Sequence, residues 1–271
     1  MDSVTQIDQW PVANASTALV GRDGTVLDAH GNQHRPYRLA SVTKLLSAYA
    51  VLVAIEEGAL ELDQPAGPEG STVRHLLAHS SGYDFGDRTV RFAPGSRRLY
   101  SNAGFDVLGE TLERAAGMTF AEYLSEGVLQ PLGMGATELN GSPAAGATST
   151  VADLSIFAAE LQQPKLLDPA TLAEATTVVF PGLAGVLPGF GRQPHNDWGL
   201  GFEIRNAKDP HWTGSASSPA TFGHFGQSGT FLWVDPEAGA ACVVLTDRDF
   251  GPWAAEAWPA YTDALLADLA D

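Results

Sequence analysis

Strand-like segments occupy both ends of this chain and helical ones the middle, and that order leaves few ways to fold it. Near the N-terminus, two short apolar runs flank Asp23-Gly24 in residues 18–27, a good hairpin signal. Near the C-terminus, residues 230–234 and 240–246 are apolar runs on either side of Asp235-Pro236-Glu237-Ala238-Gly239. Residues 198–204 alternate and read as a further strand. Between about 72 and 163 the pattern is mainly helical. An antiparallel sheet assembled from both ends, with a helical insertion between them, satisfies this order and makes the fold class α+β. The expected units are residues 1–62 plus 186–271 for the sheet and 63–185 for the insertion, with a Pro/Gly-rich connection at 63–70. At 271 residues the chain is long enough for one large domain or two interleaved ones.

The helical expectations are specific. Residues 45–55 are an unbroken apolar run that reads as a buried helix fading at Glu56-Glu57-Gly58. Residues 73–78 form a short helix, and 103–116 place Phe105, Leu108, Leu112 and Ala115 on one face before Gly117. Residues 120–129 stop before Pro131. Residues 151–161 follow Ser149-Thr150, with Asp153 in the first turn. The segment 181–194 is rich in glycine and proline and reads as loop. The last segment carries Ala254, Trp258, Tyr261, Leu265 and Leu269 at helical spacing.

Charge narrows the partners. The 32 acidic against 15 basic residues give a formal charge of −17, a surface that repels nucleic acid and anionic lipid. The run 45–55 is too short to span a bilayer. The first residues lack a basic region followed by an apolar stretch, so no signal peptide is visible and the expected location is cytoplasmic. The one cysteine, Cys242, excludes an intramolecular disulfide and reads as a small buried hydrophobe in a strand.

Four motifs carry polar chemistry. In Leu39-Ala40-Ser41-Val42-Thr43-Lys44, helical spacing puts the Ser41 hydroxyl and the Lys44 amine on one face. A serine hydroxyl needs a neighbour to take its proton, and a lysine against an apolar helix can have its pKa lowered enough to help. Alone, Ser-x-x-Lys is common and reads as a helix start with a solvated lysine. Tyr100-Ser101-Asn102 supplies a phenol that needs a cation such as Lys44 to act as a base. It also supplies a carboxamide suited to a substrate carbonyl, although Ser and Asn are equally at home in a turn. Gly223-His224-Phe225-Gly226-Gln227-Ser228-Gly229 allows a backbone to approach a ligand closely and present an N–H to a carbonyl oxygen. His75 and His79, four apart, lack a third ligand within reach and read as a hydrogen-bonded structural pair rather than a metal site.

Taken together, Ser41-Val42-Thr43-Lys44, Tyr100-Ser101-Asn102 and His224-Phe225-Gly226 resemble the motifs of the serine hydrolases related to class C β-lactamases, D,D-peptidases and their esterase cousins. The likeness runs from about residue 18 to the terminal helix. Residues 74–82, Phe92-Ala93-Pro94-Gly95, Pro131-Leu132-Gly133-Met134 and Trp198-Gly199-Leu200-Gly201 are similar too. It implies a β-lactamase/transpeptidase-like fold with the site where the sheet and the helical insertion meet. It also implies acyl transfer by Ser41, with Lys44 and Tyr100 sharing the proton work and no metal or cofactor. Asn102, His224, Phe225, Gly226 and Gln227 would contact substrate, and the oxyanion would lie between the backbone N–H groups of Ser41 and Gln227.

Relatives that bind penicillins hold a Lys and a Thr where this chain has His224 and Phe225. That substitution favours neutral esters over anionic drugs. The expected activity is a carboxylesterase for small acyl esters. The close alternative is a β-lactamase or D,D-peptidase-like enzyme, and the distant one a binding protein on the same fold.

Overall fold

The computed structural model describes residues 2–270. Its centre is a six-stranded sheet drawn from both ends of the chain: β1 (Ala15–Gly21), β2 (Val26–His30), β3 (Glu203–Ile204), β4 (Phe222–Gly226), β5 (Thr230–Asp235) and β6 (Ala240–Thr246). Their spatial order is β2-β1-β6-β5-β4-β3, with every neighbouring pair antiparallel. β1, from the N-terminal part, pairs directly with β6, opposing Ala15 to Thr246 and Gly21 to Ala240. The hairpins expected around Gly24 and around residues 235–239 close β1–β2 and β5–β6.

Both faces of the sheet are covered, which is why its central strands read as continuous apolar runs. Side chains alternate across it. Val20, Leu232, Val234 and Val243 face one core, while Leu19, Trp233, Cys242 and Val244 face the other. The first core is roofed by α1 (Thr43–Glu56) and α3 (Val151–Gln162), and the second by α4 (Pro252–Ala270) with the 3-10 helix Ser3–Gln9. α1 is buried on all sides from Thr43 to Ala54, as an apolar run without a polar face requires. Thr150 caps α3 by accepting from the Asp153 N–H at 3.1 Å. Although α3 falls within the expected 63–185 insertion, it packs on the sheet, and Gln162 Nε2 donates to Val20 O and Gly21 O.

Four local expectations are corrected. The helix from Phe120 does not stop before Pro131. A wider π turn, Ser125–Leu129, leads into a last helical turn, Gln130–Leu132, that carries the proline and ends at Gly133. The segment 181–194 is not all loop, since Gly185–Leu187 and Gly191–Gln193 pair as a small antiparallel hairpin. Of the alternating run 198–204 only Glu203–Ile204 is strand. Residues 199–201 are instead a tight turn, in which Gly201 has φ +87° and a Cβ there would meet the Ala48 Cβ at 2.1 Å. The helix Val73–Leu77 ends before His79, whose φ is 51°, so the two histidines do not share a helix face.

Candidate active site

Ser41 sits in a single 3-10 turn, Ala40–Val42, at the head of α1. Ala40 has φ 46°, a left-handed conformation unusual for a residue with a side chain and a mark of backbone held under constraint. The constraint comes from the end of β4 and the turn after it. Thr230 Oγ1 donates to Leu39 O at 2.9 Å and Ser228 Oγ to Arg38 O at 2.6 Å. At Gly226 an added Cβ would lie 2.2 Å from Leu39 O and 3.2 Å from Ser41 N. Only glycine lets the strand run this close to the serine.

Lys44, one turn into α1, is fully buried, and its Nζ donates to Ser41 Oγ (3.2 Å), Asn102 Oδ1 (2.7 Å) and Ala144 O (2.8 Å). Burial holds its pKa well below the ordinary lysine value. Tyr100 approaches from the opposite side, donating its hydroxyl to Ser41 Oγ at 2.7 Å. Burial raises the phenol well above its usual range, so it is neutral here. The Lys44 Nζ lies 4.7 Å from the Tyr100 ring centroid, a cation–π distance. Thus the hydroxyl, amine, phenol and carboxamide that stand far apart in sequence converge at one point.

The local sequence explains the placement of Tyr100 and Asn102. Ser101 caps α2 (Asn102–Ala116), accepting from the Gly104 N–H at 3.0 Å, so the two functional side chains flank a helix start. The turn-forming character of Ser101 and the approach of Tyr100 and Asn102 to Ser41 and Lys44 are thus compatible in one segment. Asn102 accepts from Lys44 through its side-chain oxygen, which leaves the role expected of its amide N–H groups, holding a substrate carbonyl, unaffected. His79 packs under Tyr100 with ring centroids 4.5 Å apart, and its Nδ1 accepts from the Ser101 N–H at 3.2 Å. Burial keeps His79 neutral by lowering its pKa. His75 lies apart from it, bonded to Thr72 Oγ1 and stacked on Phe180. Among the described residues no group of three or more His, Cys, Asp or Glu could hold a metal ion, and no helix is long and apolar enough to cross a membrane.

On β4, His224 and Phe225 point to opposite faces. His224 turns toward Tyr100, its ring centroid 5.7 Å away, and its Nδ1 donates to Phe225 O at 2.6 Å. Burial, helped by Lys44, pulls the His224 pKa down to about 3, so the ring is neutral at pH 7. Phe225 joins the far core with Trp258 and closes one end of a cavity of about 130 Å³. Ser41, Tyr100 and Gln227 lie at that cavity, and Phe85, Trp198 and Trp212 supply aromatic wall.

One feature of the wall was invisible in the sequence. Glu203 is buried at the cavity, accepting from Lys208 Nζ, from His211 Nε2 (2.9 Å) and from Trp212 Nε1 (2.9 Å). Against the cost of burial, the Lys208 charge and the donors from His211 and Lys208 keep the Glu203 carboxyl far below its ordinary pKa. In sequence Glu203 stands in an alternating run and Lys208 and His211 in a loop context, with nothing to mark them as partners.

A family model described as Beta-lactamase matches residues 11–266. The chain belongs to the beta-lactamase family. A crystal structure of a β-lactamase, Mb2281c, from Mycobacterium bovis is 56% identical, with TM-score 0.97, covering 98% of this chain and 99% of that one. The fold is therefore β-lactamase/transpeptidase-like. Esterase EstB of Burkholderia gladioli is 36% identical over 178 residues, covering 44% of this chain and 45% of its own. The D-alanyl-D-alanine-carboxypeptidase/endopeptidase AmpH of Escherichia coli is 26% identical over 155 residues, covering 42% and 40%. The match thus spans less than half the length of either curated relative. The relatives this chain matches thus include esterase and carboxypeptidase types.

Proposed function

We propose that the protein is a carboxylesterase for esters of small acids, working through an acyl-enzyme on Ser41. The observation that carries this reading is the neutral character of the third motif. Where a penicillin carboxylate would need a cation and a free hydroxyl, the chain offers a buried neutral His224, an apolar Phe225 on the cavity wall, and a Ser228 hydroxyl already donated to Arg38 O. An anion there would be desolvated without compensation. The cavity beside Ser41 is aromatic and holds about 130 Å³. A dry apolar cavity of roughly 150 Å³ accommodates a benzene ring, so the acyl group is of that size or smaller. The match to EstB supports the same activity.

The proton path follows from the hydrogen bonds. In its neutral form the Lys44 amine spends two hydrogens on Asn102 Oδ1 and Ala144 O and turns its lone pair to Ser41 Oγ. As Oγ bonds to the ester carbon, its proton passes to Lys44, and the oxyanion is taken up by the backbone N–H groups of Ser41 and Gln227. The ester C–O bond then breaks, and the departing oxygen takes a proton supplied through Tyr100, restoring neutral Lys44. Water adds to the acyl carbon, gives its proton to the same pair, and releases the acid and Ser41. Because Tyr100 and Lys44 share one proton acceptor, they titrate as a unit.

Wild-type protein is expected to turn over p-nitrophenyl acetate and butyrate and to be labelled by a fluorophosphonate, with both lost in Ser41→Ala. Undiminished labelling of that variant would overturn the assignment, and no turnover of these esters or of nitrocefin by folded wild type would leave a binding protein. The likeness to Mb2281c favours a second reading, a β-lactamase. Nitrocefin hydrolysis faster than ester hydrolysis would make it the better one.

A further inference from the structure

A second, larger cleft of about 420 Å³ adjoins the acyl cavity, and Phe85, Tyr100 and Pro188 line both. Ser41 borders the smaller cavity alone, whereas Tyr100, which supplies the proton to the departing oxygen, borders both. A small acyl group seated in the first cavity therefore sends its alcohol into the second. The second cleft has an unusual charge for this molecule. With 32 acidic residues against 15 basic, the chain is strongly anionic, yet no Asp or Glu lines this cleft and three arginines do: Arg97, Arg98 and Arg192.

These arginines are not spent on carboxylates. Arg74, Arg88 and Arg91 each form an ion pair with Asp or Glu. Among the described residues Arg97 and Arg192 have no such partner, and Arg97 lies 5.0 Å over the Phe92 ring. Both side chains are exposed at the cleft. Arg98 is buried, with its guanidinium donating to the carbonyls of Ala78, Val179, Phe180 and Asn196. Burial lowers its pKa only to about 10, so it stays cationic at pH 7 and adds a positive charge to the wall. Phe85, Phe92 and Val186 expose large apolar surface around the same opening. Two free guanidinium forks beside exposed apolar side chains match an apolar body bearing an oxyanion.

We infer that the cleft of Arg97 and Arg192 binds the alcohol portion of the substrate, and that this portion is an apolar group carrying a carboxylate or phosphate. The inference rests on the esterase reading and names the leaving group. It does not conflict with the neutral third motif. The anion proposed here sits on the alcohol side, past Tyr100, and needs nothing from His224 or Phe225.

The test compares acetate esters that share an acyl group and differ in leaving group: 4-acetoxybenzoate and 4-acetoxyphenyl phosphate, both anionic, against the neutral 4-acetoxybenzamide. For the wild type, kcat/KM for the better anionic ester should exceed that for the neutral one by about tenfold, the scale of two partly exposed charge-assisted contacts. In Arg97→Gln/Arg192→Gln the ratio should fall to near one, and 0.5 M salt should lower it in the wild type alone. The benzoate and phosphate arms tell which anion is preferred. Failure of folded wild type to hydrolyse any of the three esters sinks the esterase reading and this inference with it. Hydrolysis of all three at equal rates, or a ratio that the double substitution leaves unmoved, sinks this inference alone.

Discussion

Gly226→Ala is the sharpest test of how the site is held, because it adds one carbon at the place where β4 meets the nucleophile turn. The new Cβ would lie 2.2 Å from Leu39 O, 2.6 Å from Thr230 Oγ1 and 3.2 Å from Ser41 N. Ordinary C···O contacts are about 3.3 Å or longer, so residues 39–41 must retreat from the strand by about 1 Å. That retreat would break the Thr230 bond to Leu39 O, worth about 1 kcal/mol, and overpacking adds a cost of about 1–3 kcal/mol. Displacing the Ser41 N–H and Oγ by about 1 Å should lower kcat about 10²-fold. The assay is p-nitrophenyl acetate turnover alongside urea unfolding. Thr230→Val is the control. It removes the same hydrogen bond without filling space, and should cost about 1 kcal/mol of stability with less than a tenfold change in rate. A folded Gly226→Ala with wild-type kcat would refute the argument that β4 sets the position of Ser41.

Three further outcomes are expected. Tyr100→Phe keeps the ring against His79 but removes the hydroxyl at Ser41 Oγ, and kcat should fall about 10²–10⁴-fold with little change in unfolding free energy; a rate within threefold of wild type would remove Tyr100 from the proton path. The His224 pKa is lowered to about 3 in the folded chain against 6.5 unfolded, so between these values the unfolded state binds the extra proton. Stability should fall as pH drops through that window, by up to about 1.4 kcal/mol per unit, and His224→Gln should give a shallower acid limb in urea titrations at stepped pH. An identical limb would show that His224 is not buried neutral. Glu203→Gln leaves Lys208 as an uncompensated buried cation and should cost about 3–5 kcal/mol in chemical denaturation, whereas a loss under 1 kcal/mol would mean that the cluster does not hold the Trp212 wall.

How much was readable in advance depended on whether the signal was local. The hairpin at Asp23-Gly24, the buried helix after Ser41 and the helices expected over 103–116 and 151–161 are short-range patterns, and they stand as expected to within a residue or two at their ends. Errors fell where a distant neighbour decided. Alternation at residues 198–204 suggested a strand, yet the approach of Ala48 forces residue 201 into a left-handed turn open only to glycine. Pro131 suggested a stop, yet the preceding π turn makes room for it. His75 and His79 seemed paired by spacing, but the helix between them ends first.

The sequence by itself determined the strand–helix–strand order, and with it a sheet built from both chain ends. It also supplied the candidate reacting groups Ser41, Lys44 and Tyr100, as residue types whose chemistry suits acyl transfer. Tertiary structure alone decided what those groups do for one another. It joined the Asn102 oxygen to Lys44, brought Tyr100 onto Ser41 Oγ, and assembled Glu203, Lys208, His211 and Trp212 into a wall. The physical reason is that burial and hydrogen-bond partnership arise between residues far apart in the chain, and these, more than residue identity, set charge state and orientation.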